Sequence, residues 1–364
     1  MKVTKEGVLM DLLDSAWMQR NLGESVSCVH LLPNGDVLAG GWDGNVTFWD
    51  QEGHHYWTTN SSNRISAVLD VDDTFIVTSG LDVVCISKSD GQHLWSIALE
   101  GSADQLLAFG QGILATSSTY DIEHNDFIES VVWLIDKSGT LLWTHRMDER
   151  PWFGYVDGNN AHFGLGRPRC GLLHISESGE AHHSSLPEQS PVMCGCRNQD
   201  PPVFGLANGN LVSASAVVFT STEGIEFLCS SKEGYVLGLE DGNNVSIDKV
   251  GKQNWNHKGA PLSALTISSG KSDEEWVWVA RKRGERGTLQ LIQASTGTLL
   301  ADQDTSRIHS LASTDQRVCA GFEDGSVVVW DREMVQRRLS NDNTPASIDP
   351  NREAMLAKLR ALRR

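Results

Sequence analysis

Apolar and polar positions along this chain alternate in short runs of about four to eight residues, each closed by a turn signal. Two stretches show the pattern most clearly. Residues 36–50 read DVLAGGWDGNVTFWD and residues 317–331 read RVCAGFEDGSVVVWD. Each has an apolar run, small residues, an acidic residue followed by Gly, a second alternating run, and then Trp-Asp. Alternation with period two places successive side chains on opposite faces of a strand. The Asp-Gly pairs at 43–44 and 324–325 supply the positive φ angles that a tight hairpin turn needs. Each stretch therefore predicts two antiparallel strands in the middle of a larger sheet.

Looser copies fill the interval between them. Counting the units of the two clear stretches, the repeats start near residues 26, 65, 105, 152, 191, 216, 262 and 308, with turns such as Asp90-Gly91, Ser138-Gly139, Ser178-Gly179 and Thr296-Gly297. A recurrence of about 40 residues with four strands per unit is the requirement of a propeller blade. The expectation is an all-β chain, a β-propeller of seven or eight four-stranded blades, followed by a short C-terminal α-helix. The count is open because residues 191–215 read as a truncated unit ahead of a fuller one at 216–255.

The endings Phe48-Trp49-Asp50 and Val329-Trp330-Asp331 resemble those of WD-repeat proteins. The segments Gly91-Gln92-His93-Leu94-Trp95 and Gly139-Thr140-Leu141-Leu142-Trp143 resemble quinoprotein-type (PQQ-like) propeller repeats instead. Together the resemblances span about residues 26–339. They imply structural roles for Asp43, Trp49, Asp324 and Trp330: the indoles pack between blades, and the hairpin aspartates join a hydrogen-bonded set completed by a His. The Gly-His dipeptide expected upstream of the first blade is replaced by Gly23-Glu24, so that set is incomplete and the chain is a divergent case. Twelve tryptophans against four tyrosines follow from the same reading. Trp49, Trp57, Trp95, Trp133, Trp143, Trp255 and Trp330 fall on third and fourth strands, where a large ring fills the wedge between blades. Trp276 and Trp278, two apart in a strand, share one face and are expected in the core.

Closing the ring requires the two ends of the repeat region to meet. One of the apolar stretches 8–13 and 16–22 is expected to complete the sheet begun by the last repeat. Beyond Leu339 the composition changes. The domain reading is a propeller over 1–340, a linker over 341–348 and a basic amphipathic helical tail over 349–364. Asp349-Pro350 suits a helix start, and Met355, Leu359 and Leu362 fall on one face, with Lys358, Arg360 and Arg363 beside them. These six residues are the candidate partner-binding set. A helix of this length is marginal alone, so its stripe wants a surface. Either this chain's own propeller or a protein partner could supply it.

Charge narrows the partners. The net charge is −17; five basic and two acidic residues in 349–364 leave −20 on residues 1–348. A field of that sign opposes nucleic acid over most of the surface. No run approaches the length of apolar residues that spans a bilayer, and no export signal opens the chain, so the reading is cytoplasmic, with no membrane partner. Seven scattered cysteines fit reduced, buried thiols rather than a disulfide framework.

Candidate chemistry is sparse. Cys170, His174, His182, His183, Cys194 and Cys196 crowd into 27 residues, residue types that zinc takes, but Cys-x-Cys is not a knuckle spacing. No metal site is assigned. Neither a nucleophile elbow nor a phosphate loop is present, so no catalytic residue and no cofactor is named. The acidic stretch 121–126 reads as a loop insertion and the basic stretch 281–286 as a hairpin turn. The functional expectation is a non-catalytic protein–protein interaction scaffold that presents propeller loops and a C-terminal helix. The alternatives are a quinoprotein-like enzyme and a propeller that senses a metal or a small molecule.

Overall fold

The computed structural model describes residues 10–123, 125–196, 201–269 and 274–342. Thirty-two strands form eight antiparallel sheets of four. The first strands of the sheets are Val26–Leu31, Ile65–Val71, Ser102–Phe109, Pro151–Asp157, Val192–Cys196, Ile225–Ser230, Leu262–Ser269 and Ile308–Ser313. Each touches the next in order, and the last touches the first. They are the inner strands of a closed ring, and the sheets are blades 1 to 8.

Eight blades are present, and one boundary differs from the sequence reading. Residues 191–215 are not a truncated unit. Blade 5 is complete, with strands Val192–Cys196, Val203–Leu206, Asn210–Ser213 and Val217–Thr220. Its fourth strand lies where a new unit was expected, and blade 6 begins at Ile225. The strands are only four or five residues long, so the period contracts and the unit looks incomplete in sequence.

Closure comes from the second of the two N-terminal candidates. Met18–Asn21 pairs antiparallel with Ser326–Asp331, Met18 opposite Val329 and Asn21 opposite Ser326. Blade 8 therefore takes three strands from the C-terminal repeat and its outer strand from the N-terminal region. This pairing satisfies the backbone groups that an open edge would expose.

Five of the seams between blades carry an indole that hydrogen-bonds across them. Trp57, Trp95, Trp143 and Trp255 sit on outer strands, and each reaches the turn before the outer strand of the following blade. Their ring N–H groups donate to the carbonyls of Lys88 at 2.7 Å, Lys137 at 3.0 Å, Glu177 at 3.2 Å and Ala294 at 2.7 Å. Trp17, just ahead of the closing strand, donates to the Gln51 carbonyl at 3.0 Å across the seam between blades 8 and 1. The ring lies flat over a glycine at each of the four outer-strand sites. Gly139 shows why: its φ is +87°, and a Cβ there would stand 2.8 Å from the Trp95 ring. A buried Trp thus removes a large apolar area from water while its one polar atom keeps a partner. This arrangement accounts for the fourth-strand tryptophans.

Seam 7/8 is built differently. Trp276, Trp278 and Trp330 are all buried there, with Trp278 and Trp330 at a centroid distance of 5.1 Å. The Trp330 N–H donates to the Leu12 carbonyl at 2.7 Å, tying the N-terminal segment into the seam. After the third strand of blade 8 the chain turns into a helix, α1 (Arg332–Asp342). Its Val335 is buried in the same cluster, and Leu339 packs against it. The expectation for 341–348 was a linker; its first two residues, through Asp342, instead belong to the helix, whose Val335 and Leu339, four apart, face the seam together. The expected tail helix over 349–364 is a different segment and lies outside the described residues.

The inner ring is stitched as well. Ser27 Oγ donates to the Ile65 carbonyl, Gln105 Nε2 to that of Pro151 at 2.6 Å, and the thiols of Cys194 and Cys229 to those of Ile225 and Leu265 at 3.6 Å. Each donor belongs to one inner strand and each acceptor to the following one, of which Ile65, Pro151 and Ile225 are the first residues and Leu265 the fourth. Cys194, one of the cysteines weighed as a metal ligand, is therefore part of the ring's hydrogen bonding.

Candidate interaction face

Antiparallel blades sort their connections onto two faces. One face, here the upper, carries the starts of the inner strands and the hairpin turns between second and third strands. The lower face carries the ends of the inner strands and the turns before the outer strands. Exposed large apolar residues on the upper face concentrate on blades 1 to 4: Trp42, Leu81, Tyr120, Ile122, Ile128 and Trp152. Isolated exposed apolar residues are ordinary; aromatic rings grouped with arginine are the composition of binding hot spots.

One group is raised by blade 3. Its second and third strands, Gly112–Asp121 and Asp126–Asp136, run ten and eleven residues, about twice the usual blade strand. The tip rises above the neighbouring turns, and a register shift between Thr119 and Tyr120 brings Tyr120 opposite Phe127. Those rings meet edge to face at 5.1 Å, and Phe127 meets Trp152 at 6.0 Å. The Arg150 guanidinium lies 3.8 Å over Phe127 and 4.2 Å over Trp152. It is held there by a 2.8 Å ion pair with the largely buried Asp104. A groove of about 610 Å³ runs beside the group, lined by Asp126, Phe127, Arg167, Pro168, Gln189 and Pro191. Asp121 and Asp126, the ends of the stretch read as a loop insertion, are thus a strand pair at the end of a long hairpin.

A second group sits where blades 1, 2 and 8 meet. Trp42 is 41 % exposed on the turn of blade 1. Arg64 stacks on it at 4.0 Å and His309 meets it edge to face at 5.9 Å. The turn is fixed by Glu24, whose carboxylate accepts from the backbone N–H groups of Asp43 and Asn45 at 3.1 Å and from the Asn45 amide at 3.0 Å. Glu24 stands where the resemblance called for a His, so a carboxylate anchors this turn through its backbone. Of the four residues given structural roles, Trp49 and Trp330 are buried in the seams either side of blade 8. Asp324 accepts from the Ser326 N–H at 2.9 Å. Burial pushes its carboxyl up, but hydrogen bonding from Ser326, its backbone N–H first, outweighs that and holds it below the usual range. Asp43 takes part through its main chain.

The Cys/His stretch is dispersed over three surfaces. His174 and His182 face blade 5, in a cross-strand row with Tyr155 and His162. His183 lies on the other side of blade 4, its Nε2 2.6 Å from the Cys170 carbonyl. Cys194 and Cys196 face blade 6. Among the described residues no group of three or more His, Cys, Asp or Glu is placed to hold a metal ion. The basic stretch 281–286 is also divided. Lys282, Arg283 and Arg286 are exposed on a hairpin, whereas Arg281 is buried. Its guanidinium donates to the carbonyls of Gly242 at 2.6 Å and Ala260 at 2.8 Å and to Gln290 Oε1 at 2.8 Å, bracing blade 6 against blade 7.

A cavity of about 610 Å³ opens at the lower mouth of the channel, with Cys196, Cys229, Thr266 and Ser313 in its wall. Burial pushes the Cys229 thiol up to about 12, so it is protonated and inert as a nucleophile. Ser313 and Thr266 bond each other across seam 7/8 at 2.7 Å. These groups brace the ring. The six tail residues Met355, Lys358, Leu359, Arg360, Leu362 and Arg363 lie outside the described residues.

The aromatic–arginine groups were not found from the sequence. Trp152 and Trp42 are indistinguishable there from the packing tryptophans, and only the hairpin length at 112–136 could have signalled a raised surface.

Comparison with known proteins supports the fold assignment. The WD40 family (WD domain, G-beta repeat) matches over residues 19–50. No curated protein matches the sequence. Among solved structures, BamB from Moraxella catarrhalis is similar with a TM-score of 0.69 at 16% identity, over 87% of this chain and 97% of that one. The C-terminal WD40 domain of Sif2 gives 0.66 at 10% identity, over 86% and 98%. BBS1N in its complex with ARL6DN gives 0.53 at 10% identity, over 86% and 95%. Identities this low speak for the fold alone. Among the described residues no helix is long and apolar enough to cross a membrane.

Proposed function

We propose that this divergent WD-repeat-type propeller of eight blades is a non-catalytic interaction platform whose upper face binds a protein partner. The observation that carries the reading is the pair of arginine–aromatic groups, Trp42 with Arg64 and Trp152 with Arg150 and Phe127. Large rings held at the surface by stacking and ion pairs bring contact area with little ordering left to do on binding. The blades beneath brace one another through the indole contacts, so the loops are presented on a rigid base. WD-repeat propellers commonly serve in protein assemblies, and BBS1N, similar in fold, is bound to ARL6DN in its structure.

The test is affinity capture from native lysate with the wild-type chain, Trp42→Ala and Trp152→Ala. A stoichiometric protein retained by wild type and lost by at least one variant, with melting temperatures unchanged, is the expected result. Turnover of a small molecule by the isolated chain would overturn the reading.

A further inference from the structure

The lower face carries a groove that the upper-face reading does not use. It lies between blades 1 and 2, with a volume of about 750 Å³. Leu32 and Phe48 form its buried floor, and Tyr56 and Leu94, both 54 % exposed, form its walls. Its rim is acidic. Asp36, Asp72 and Asp73 line it, and the field of Asp36, then burial, then Asp50, holds the Tyr56 phenol above its usual range. The one cation in the lining, Lys88, is paired with Asp70. Asp72 is paired with Lys137 at 2.6 Å. Asp36 is largely buried and accepts from the Asn34 amide at 2.8 Å. Asp73 is exposed and makes no ion pair among the described residues. Apolar walls under a negative rim match a basic segment with one apolar stripe.

Such a segment exists in this chain. Residues 349–364 carry +3 against −20 on the rest, and Met355, Leu359 and Leu362 recur at helical spacing with Lys358, Arg360 and Arg363 alongside. The described chain ends at Asp342 in α1, which starts at the lower rim of blade 8, where Arg332 donates to the Ser268 and Glu274 carbonyls. The groove is on that same face, beyond blade 1 in ring order. Residues 343–348 can span about 20 Å extended, and sixteen residues about 24 Å as a helix. We propose that the C-terminal segment 349–364 docks as a basic amphipathic helix in the blade 1/2 groove of its own propeller. Leu359 and Leu362 meet Tyr56 and Leu94, and the basic residues meet the acidic rim.

The test uses the full chain, a chain ending at residue 348, and a labelled synthetic peptide of residues 349–364, followed by fluorescence polarisation. The peptide should bind the shortened chain at least about tenfold more tightly than the full chain, whose groove is already filled. Raising salt from 50 to 300 mM should weaken binding several-fold. Leu94→Lys in the shortened chain should weaken it by about tenfold or more, Asp73→Lys by a smaller factor, and Leu359→Glu in the peptide should abolish it. Thermal melts of each variant separate loss of binding from loss of fold, and Tyr56→Ala repeats the test without adding charge. Equal binding to both chain lengths, or affinity unchanged by Leu94→Lys and Asp73→Lys, would overturn the proposal. So would a full-chain dimer in light scattering that dissociates on truncation, because the segment would then occupy a second copy. Upper-face capture does not depend on any of these outcomes.

Discussion

Blade 4 has two seams, and they are built from opposite materials. Toward blade 3 it receives an indole: Trp143 lies over Gly179 and donates to the Glu177 carbonyl, above a cluster of Phe109, Phe163, Leu173 and Ile175. Toward blade 5 it presents Tyr155, His162, His174 and His182, one per strand and directly opposite one another. Tyr155 stacks on His162 at 4.7 Å and His174 on His182 at 4.6 Å; the Nδ1 atoms of His162 and His174 are 2.5 Å apart. Both seams bury rings; toward blade 3 the ring laid over the glycine is an indole, which does not titrate, whereas toward blade 5 three of the four rings in the row are histidines. A propeller seam can therefore be closed by rings whose charge is fixed at zero or by rings that stay neutral only above a certain pH.

The largest effect should come from breaking an indole contact. Trp255→Ala removes a buried ring and its bond to Ala294 and is expected to cost about 3–5 kcal/mol, read as a shift of the denaturant midpoint. If the cost were under about 1 kcal/mol, the seams would not depend on these rings.

Acid should test the other seam. Burial, reinforced by the neighbouring His162, His182 and His183, lowers the His174 pKa from 6.5 to about 4. Burial also lowers that of His162, with Asp157 opposing it and His182 assisting. His174 is neutral in the folded chain between pH 6.5 and 4, while the unfolded chain takes up the proton near 6.5. The unfolded state binds more protons in that window, so the full contribution is present above pH 6.5 and is lost as pH falls toward 4. After allowance for its partial exposure, the loss should be about 1–2 kcal/mol. Denaturant midpoints at pH 7.5 and 4.5 measure it, and His174→Leu should flatten the difference. A pH dependence identical in that variant would assign the acid sensitivity elsewhere.

A smaller effect is expected from Gly139→Ala, which asks a Cβ to adopt positive φ against the Trp95 ring. The cost should be about 1–2 kcal/mol, and a double change with Trp95→Ala should recover part of it. Smallest of all, Arg64→Ala on the open upper face should change stability by less than about 0.5 kcal/mol. A larger loss would recast its stack on Trp42 as a structural brace.

Much of the ring was legible because its determinants are local. Asp-Gly at 43–44 and 324–325 marks hairpins by backbone geometry, and a Trp on an outer strand beside a Gly turn recurs with the period of the blade. Blade 5 was misdivided because its strands are four or five residues long and it lacks a Trp on its outer strand, so neither signal operates. The helical character of 332–342 was missed because its apolar positions are few, and they pay off only against the seam of Trp276 and Trp330. The candidate face was illegible for a related reason. Trp152 and Trp255 look alike in the sequence, yet one is exposed on the upper face and the other is buried at a seam.

By itself the sequence determined the strand alternation, the turns, the blade period and the surplus of acidic charge, all of which depend on residues a few positions apart. Tertiary structure alone decided which tryptophans are buried, which histidines share a seam and where an acidic rim borders an apolar groove. Those outcomes arise where separate blades meet, between residues tens to hundreds of positions apart, and no local pattern encodes that meeting.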